Sequence, residues 1–247
     1  KNYVAANLPQ YAKLPVLSMS APFKSGLAGA FDFTDVPAGN LALNNAADLY
    51  LYPNALYGVK MNGAELQAWL EQSARRFNTI DPNRLEPQEL VNTAHPSYNF
   101  DAITSADVRY QIDVTQPPGR RIQGLSYKGK PVDSSQEFLI ATNNYRASGG
   151  GNFPGLDGSK TVVASPDNNR ELLIAYVTQE KNLTRAKNGS ARSWTFAKAA
   201  TKGPVVFHSA PGVIELARAA GIGNVTQLKP DDGAGKGFAL YQLDLSK

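Results

Sequence analysis

Apolar and polar residues alternate along Val108-Arg-Tyr-Gln-Ile-Asp-Val114, which predicts a strand with one buried face. A different spacing, Leu66, Trp69, Leu70 and Ala74, puts an apolar stripe on a helix predicted over Ala64 to Phe77, entered through the Asn62-Gly63 turn. That stripe reads as core packing. Leu43 to Leu51 also has helical spacing, with Asn44 or Asn45 as cap, and Asp167 to Val177 predicts a further helix with Leu172, Leu173 and Tyr176 inward. Strands are predicted at Ala55 to Met61, Ile122 to Tyr127 and Glu137 to Ala141, with a turn at Lys128-Gly-Lys130. The long Asn78 to Asn99 loop, spotted with proline and asparagine, is of a length that is functional or tied down elsewhere.

Beyond a polar connection from Gly189 to Gly203 around Trp194, the pattern gives a strand (Pro204 to His208) and a helix (Gly212 to Ala220) stopped by Gly221 and Gly223. Two further strand candidates follow, Asn224 to Leu228 and Gly237 to Leu245. The mixture of elements is α/β, in its α+β form. Residues 1–20 alternate helix-like pieces with Pro9 and Pro15 and read as a connecting segment into a domain at 21–247. Because Lys1 opens directly on the helix-like Asn2-Tyr-Val-Ala-Ala-Asn7, the chain is expected to be a piece of a longer protein.

Composition narrows the chemistry. At 247 residues, 42% hydrophobic and 19% charged, the chain is an ordinary globular one. No apolar run approaches the roughly 20 residues of a membrane helix, so no membrane partner is expected. A net charge of +4 without a Lys/Arg block argues against a nucleic-acid polymer as partner. The absence of cysteine removes disulfides, thiolate catalysis and zinc–cysteine sites; it fits any compartment, a bacterial envelope included. The two histidines, His95 and His208, are too few and too far apart in sequence for a metal-hydrolase centre and read as structural or exposed. Asp231-Asp232 lies in a glycine-rich turn and reads as solvated, and Gly149-Gly-Gly151 lacks the Lys-Ser/Thr of a phosphate loop. No catalytic and no metal-ligating residues are therefore assigned.

One stretch does carry binding chemistry. Phe138 to Thr142 is a short apolar strand that runs into Asn143-Asn-Tyr-Arg-Ala-Ser-Gly-Gly-Gly-Asn-Phe153. Amides read hydrogen-bond patterns, an aromatic face stacks on flat rings, and glycines let backbone approach a ligand. The stretch suits a planar polar molecule such as a nucleobase, and suits equally a strand ending in a flexible glycine turn.

Several segments together resemble the C-terminal domain of the 5′-nucleotidase family, and within it the bacterial periplasmic 2′,3′-cyclic-nucleotide 2′-phosphodiesterase/3′-nucleotidase branch. The resemblance runs colinearly from about residue 15 to 180. Ser20-Ala-Pro-Phe-Lys24 stands where the family has an Asn-Gly-Gly-(Gly)-Ile-Arg loop, and Gly39-Asn-Leu41 precedes a helix. Leu51-Tyr-Pro-Asn-Ala-Leu56 stands for Pro-Phe-Gly-Asn-x-Leu, and Met61-Asn-Gly-Ala-Glu-Leu-Gln-Ala-Trp-Leu-Glu-Gln-Ser73 for Leu-Thr-Gly-x-x-Leu-x-x-x-Leu-Glu. Lys128-Gly-Lys-Pro-Val-Asp133 matches a hairpin, and Thr142 to Phe153 matches the Asn-Phe-x-x-x-Gly-Gly-Asp-Gly motif.

The resemblance implies a mixed sheet with flanking helices and a base held between two aromatics, which fall on Tyr52 and Tyr145. It also implies that Lys24, Asn54, Asn144, Gly151 and Asn152 belong to the substrate site. Two departures accompany it: the family arginine falls on Lys24, a point charge without a fork, and the family aspartate falls on Gly151, beside Asn152. By the same resemblance, a periplasmic metallophosphoesterase domain carrying two divalent metal ions precedes this chain, which itself holds no cofactor. The expected ligands are nucleosides, 3′-nucleotides and 2′,3′-cyclic nucleotides, and this chain alone is expected to hydrolyse nothing. Residues 190–247 read as a branch-specific extension that completes the core. A binding or adhesion module that kept the fold and lost the nucleotide is the competing expectation.

Overall fold

The computed structural model describes residues 8–247; the helix expected at Asn2 to Asn7 lies outside the described residues. Among the described residues thirteen strands form three sheets. They are β1 (Val16–Ser20), β2 (Ala55–Asn62), β3 (Gln88–Glu89), β4 (Ala102–Ile103), β5 (Val108–Ile112), β6 (Ile122–Tyr127) and β7 (Lys130–Pro131). They continue as β8 (Glu137–Asn143), β9 (Thr161–Asn168), β10 (Trp194–Phe196), β11 (Val205–Ser209), β12 (Val225–Lys229) and β13 (Ala239–Leu243). The helices are α1 (Leu43–Leu49), α2 (Gly63–Ala74), the single turn α3 (Asn144–Ala147), α4 (Asn169–Glu180), α5 (Arg185–Asn188) and α6 (Ile214–Ala219).

The five-stranded sheet runs β4-β1-β8-β2-β9, with β1 parallel to β8 and the other pairings antiparallel. A second sheet, β10-β5-β6-β7, and a third, β12-β13-β11-β3, complete the mixed α/β architecture. Helix α2 touches both β2 and β6 and buries Leu66, Trp69, Leu70 and Ala74, the stripe its spacing predicted. Its start is fixed by a capping box, Asn62 accepting from the Glu65 N–H at 2.9 Å and Glu65 from the Asn62 N–H at 3.0 Å. It ends at Ala74, short of the predicted Phe77, because buried Arg121 takes the Ala74 and Phe77 carbonyls at 2.8 and 2.7 Å. Buried Glu71 answers with its carboxylate to the N–H groups of Arg121 and Ile122.

Three expectations change, and the long loop proves to be tied down. Residues 16–20 are not a linker: Val16, Leu17 and Ser18 pair with Leu139, Ile140 and Ala141, and Leu17 and Met19 enter the core. The Gly189–Gly203 connection contains β10, because Trp194 packs edge-on with Phe100 and tilted against Phe77, Phe196 packs edge-on with Phe77, and the segment pairs with the alternating strand β5. The long loop is tied down by β3, which adds parallel to β11, and by the Asn78 side chain donating to the Glu89 and Val91 carbonyls. Asp232 is not solvated; its side chain is covered and accepts from His208 Nδ1 at 2.7 Å. Residues 190–247 contribute Val205, Leu243 and Leu245 to the principal core, as expected of a segment that completes it.

Candidate functional site

Strand directions alone bring the two aromatic motifs together. In the antiparallel β2–β8 pair Leu56 lies opposite Asn143, so the chain entering β2 and the chain leaving β8 share one end of the sheet. The β2–β9 register places Asn168 opposite Ala55, which delivers the start of α4 to that end as well. Parallel to β8, β1 also exits there, into Ala21-Pro-Phe23. A cleft of about 780 Å³ opens at this place.

Tyr52, Tyr145 and Asn54 line the cleft. The two tyrosines are 46% and 48% exposed, so neither is a core residue. Phe23 meets Tyr52 edge-on, with ring centroids 5.2 Å apart, which holds that ring upright. Tyr145 lies against Gly150 so closely that a Cβ there would fall 2.4 Å from the ring. The other predicted residues stand outside the lining. Asn144 accepts from the Ala55 N–H at 3.0 Å and so stitches the two motifs to each other. Lys24, beside Phe23 of the wall, is ion-paired with Asp48 of α1. Asn152 is exposed with φ of +56°, a left-handed conformation that asparagine tolerates. Gly151 packs on Arg146 and Asn99.

The walls contain residues that the motif reading passed over. Helix α4 turns Leu172, Leu173 and Tyr176 to the cleft; the stripe expected to enter the core instead forms an apolar wall, and none of the helix is buried. The helix is fixed in place by the Asn168 cap and by Arg170, which donates to the Tyr50 and Leu51 carbonyls at 3.0 Å each. Around the Tyr50 hydroxyl gather three amides, those of Asn169 at 2.9 Å, Asn143 at 3.2 Å and Asn54 at 3.4 Å. A phenol oxygen cannot accept three hydrogen bonds, and Asn143 is oriented by accepting from the Arg146 N–H at 2.8 Å. Asn54, at the longest distance, makes the weakest of the three contacts.

Arg146 and Asp101, both in the lining, are 3% and 4% exposed. Arg146 Nε lies 2.8 Å from Asp101 Oδ2, an ion pair whose N–H is not aligned for a hydrogen bond. Nη2 donates to the Tyr98 carbonyl at 2.5 Å; Nη1 reaches Asn99 Oδ1 at 3.2 Å and the Gly150 carbonyl. The guanidinium sits 4.0 Å over the Phe153 ring and 5.8 Å from that of Tyr145. Asp101 also accepts from the Trp69 indole at 2.7 Å. Burial raises its pKa, and the opposing pull of Arg146 and Trp69 offsets only part of that. A signal for Arg146 was present, since it sits inside the amide- and glycine-rich stretch. Asp101 had none, because nothing local marks an acid 45 residues away from its partner in the sequence.

Among the described residues no three or more His, Asp and Glu side chains gather where a metal could be held, and no helix is long and apolar enough to cross a membrane. His95 is pushed to lower pKa by burial and by the neighbouring arginines 75, 76 and 146, and its Nε2 faces the Asn99 carbonyl at 3.3 Å. It belongs to the scaffold. What the cleft does offer is aromatic faces, amides and an apolar wall: means of binding a flat polar ligand.

The family model for the 5′-nucleotidase C-terminal domain matches residues 21–158. The trifunctional nucleotide phosphoesterase protein YfkN of Bacillus subtilis is 48% identical over 187 residues, 70% of this chain and 13% of that protein. The 2′,3′-cyclic-nucleotide 2′-phosphodiesterase/3′-nucleotidase of Salmonella typhimurium is 42% identical over 259 residues, 97% of this chain. The chain spans 39% of that relative's length. A crystal structure of a putative 5′-nucleotidase from Staphylococcus aureus shares the fold, with a TM-score of 0.58 at 22% identity over 77% of this chain and 35% of that one.

Proposed function

The chain belongs to the 5′-nucleotidase C-terminal-domain family, and from that premise we propose that it is the nucleotide-recognising domain of a periplasmic 2′,3′-cyclic-nucleotide 2′-phosphodiesterase/3′-nucleotidase. The observation that carries the proposal is the convergence of Tyr52 and Tyr145, from separate motifs, on one cleft with both rings about half exposed. In this reading the base stacks between them. Each stacked ring contributes on the order of 1–3 kcal/mol without demanding a particular base, because every base has a π face. Asn54 and the amides around Tyr50 face the base edge, and the α4 wall covers its apolar side.

Asn144 and Gly151 act by shaping the site, and Asn152 by its backbone conformation. Lys24, held by Asp48 at the rim, is the cation available to a phosphate or ribose. Hydrolysis belongs to an N-terminal metallophosphoesterase domain carrying two divalent metal ions. No cluster in the described residues fits those ions, so no step of the chemistry is assigned to this chain. Its part is orientation, which turns a bimolecular encounter into a positioned one.

Calorimetric titration of the chain with adenosine and 3′-AMP tests the reading. Saturable binding that Tyr145→Ala weakens is expected, with no phosphate release in the presence of divalent metals. Metal-dependent phosphatase activity of this chain alone would overturn the division of labour. An intact fold without saturable binding would favour a module that lost its ligand, a reading to which the engagement of Lys24 by Asp48 lends weight.

A further inference from the structure

The base-clamp reading needs Tyr145 to stand rigidly in the cleft, and the structure shows how its neighbours are used. Asn143 is engaged with Tyr50 and with the Arg146 N–H, and Asn144 with the Ala55 N–H. Arg146 is engaged with Asp101, Tyr98, Asn99 and Gly150. Of these four consecutive residues only Tyr145 is turned out, at 48% exposure. Arg146 is the deepest of the four, and its guanidinium fills a particular space. A Cβ on Gly151 would fall 2.1 Å from Arg146 Nη1 and 2.3 Å from Asn99 Oδ1, and φ there is +80°. The position where the resemblance places an acid is therefore closed by a buried arginine that brings its own carboxylate, Asp101, from just beyond the long loop.

We propose that Arg146, paired with Asp101, is the positioning residue of the base clamp: it sets the Tyr145 ring and the 149–152 turn in their binding geometry before a ligand arrives. The inference rests on the base-clamp reading. A side chain already fixed loses little conformational freedom when a base stacks on it, so the benefit appears in affinity and not in the chemical step. The fork geometry matters, because one guanidinium reaches a carboxylate and two carbonyls at once, which an ammonium cannot do. Gly151 and Arg146 are interdependent: a side chain at 151 needs the guanidinium displaced from its present place.

The test uses the full-length protein proposed above, with Arg146→Met, Arg146→Lys and Tyr145→Ala compared for kcat and KM on 3′-AMP and for adenosine Kd by calorimetry. Arg146→Met is expected to raise KM and Kd at least tenfold with kcat within twofold, and Arg146→Lys to fall between it and the parent. A lower kcat with KM and Kd within twofold of the parent would reduce Arg146 to a stability role and overturn the proposal. Should Arg146→Met fail to fold, Arg146→Lys decides: parental Kd in that folded variant overturns it, and a weakened Kd supports it. Tyr145→Ala separates the two readings. Parental binding by Tyr145→Ala sinks the clamp and this inference together. Weak binding by Tyr145→Ala beside parental binding by Arg146→Met sinks this inference alone.

Discussion

Arg121 and Arg146 are 1% and 3% exposed, yet the regions they serve differ in kind. Arg121 gives its donors to the carbonyls of Ala74, Phe77 and Gln116 and to the Thr79 hydroxyl. It closes the end of α2 against the chain entering β6 and is not among the residues that line the cleft. Arg146 faces a carboxylate and a glycine turn at the floor of the cleft. In the first region the buried charge satisfies a helix end; in the second it holds an exposed tyrosine still. Equal burial therefore says nothing about role. What separates the two is whether the surrounding groups are all satisfied inward or leave one side chain facing out.

The comparison breaks first on stability. Arg121→Met leaves helix-end carbonyls unpaired and Glu71 buried beside them, and should lower unfolding free energy in urea by about 4–5 kcal/mol. Adenosine affinity of the folded fraction should stay within twofold. A change in affinity as large as that of Tyr145→Ala would erase the distinction between the two regions.

Arg146→Met should cost somewhat less, about 3 kcal/mol, by leaving Asp101 buried without its partner. The Asp101 pKa is already raised by burial and rises further in this variant. A raised carboxylate pKa favours the folded state once the group is protonated. The deficit should therefore shrink as pH is lowered from 8 towards 5, and an unchanged deficit over that range would show that Asp101 is not the uncompensated charge.

Tyr145→Ala, by contrast, should cost about 1–3 kcal/mol of nucleoside affinity and under about 0.5 kcal/mol of stability. Calorimetry and denaturant unfolding of the same preparation measure both. The reverse pattern would place the ring in the scaffold.

The smallest effect belongs to the third sheet, where His208 of β11 lies between Asp232 at 2.7 Å and Glu89 of β3 at 3.1 Å. Partial burial pulls its pKa down, but the hydrogen bonds to Glu89 and Asp232 outweigh it, and the net shift is upward from 6.5. The contribution is full below about pH 6.5 and is lost as pH rises through the higher folded value. Because His208 and Glu89 are exposed, their interaction should contribute below about 1 kcal/mol. Unfolding midpoints of the parent should decline across that window relative to His208→Ala; parallel profiles would refute the assignment.

Local pattern carried far in some elements and stopped short in others. The α2 stripe and the alternation of β5 were legible because their buried faces repeat within a few residues. Val16–Ser20 was not, because its place in the sheet depends on β8, more than a hundred residues away in sequence. Trp194 and Phe196 sat in a polar stretch, and only the aromatic cluster with Phe77 and Phe100 makes them a strand. Helix α4 was legible as a helix, but its apolar stripe could not announce that it faces a cleft.

By itself, the sequence determined the α+β character, the family motifs in their order, and the two tyrosines that stand out in the cleft. The first follows from residue spacing and side-chain type, which act locally, and the tyrosines follow from the resemblance of the motifs. The tertiary structure alone decided that Asn144 is a stitch, that Lys24 is engaged by Asp48, and that the space at Gly151 is filled by Arg146 with Asp101. The reason is physical: a hydrogen bond or an ion pair is made by proximity in space, and here the partners meet only when β2, β8 and the long loop converge at one end of a sheet.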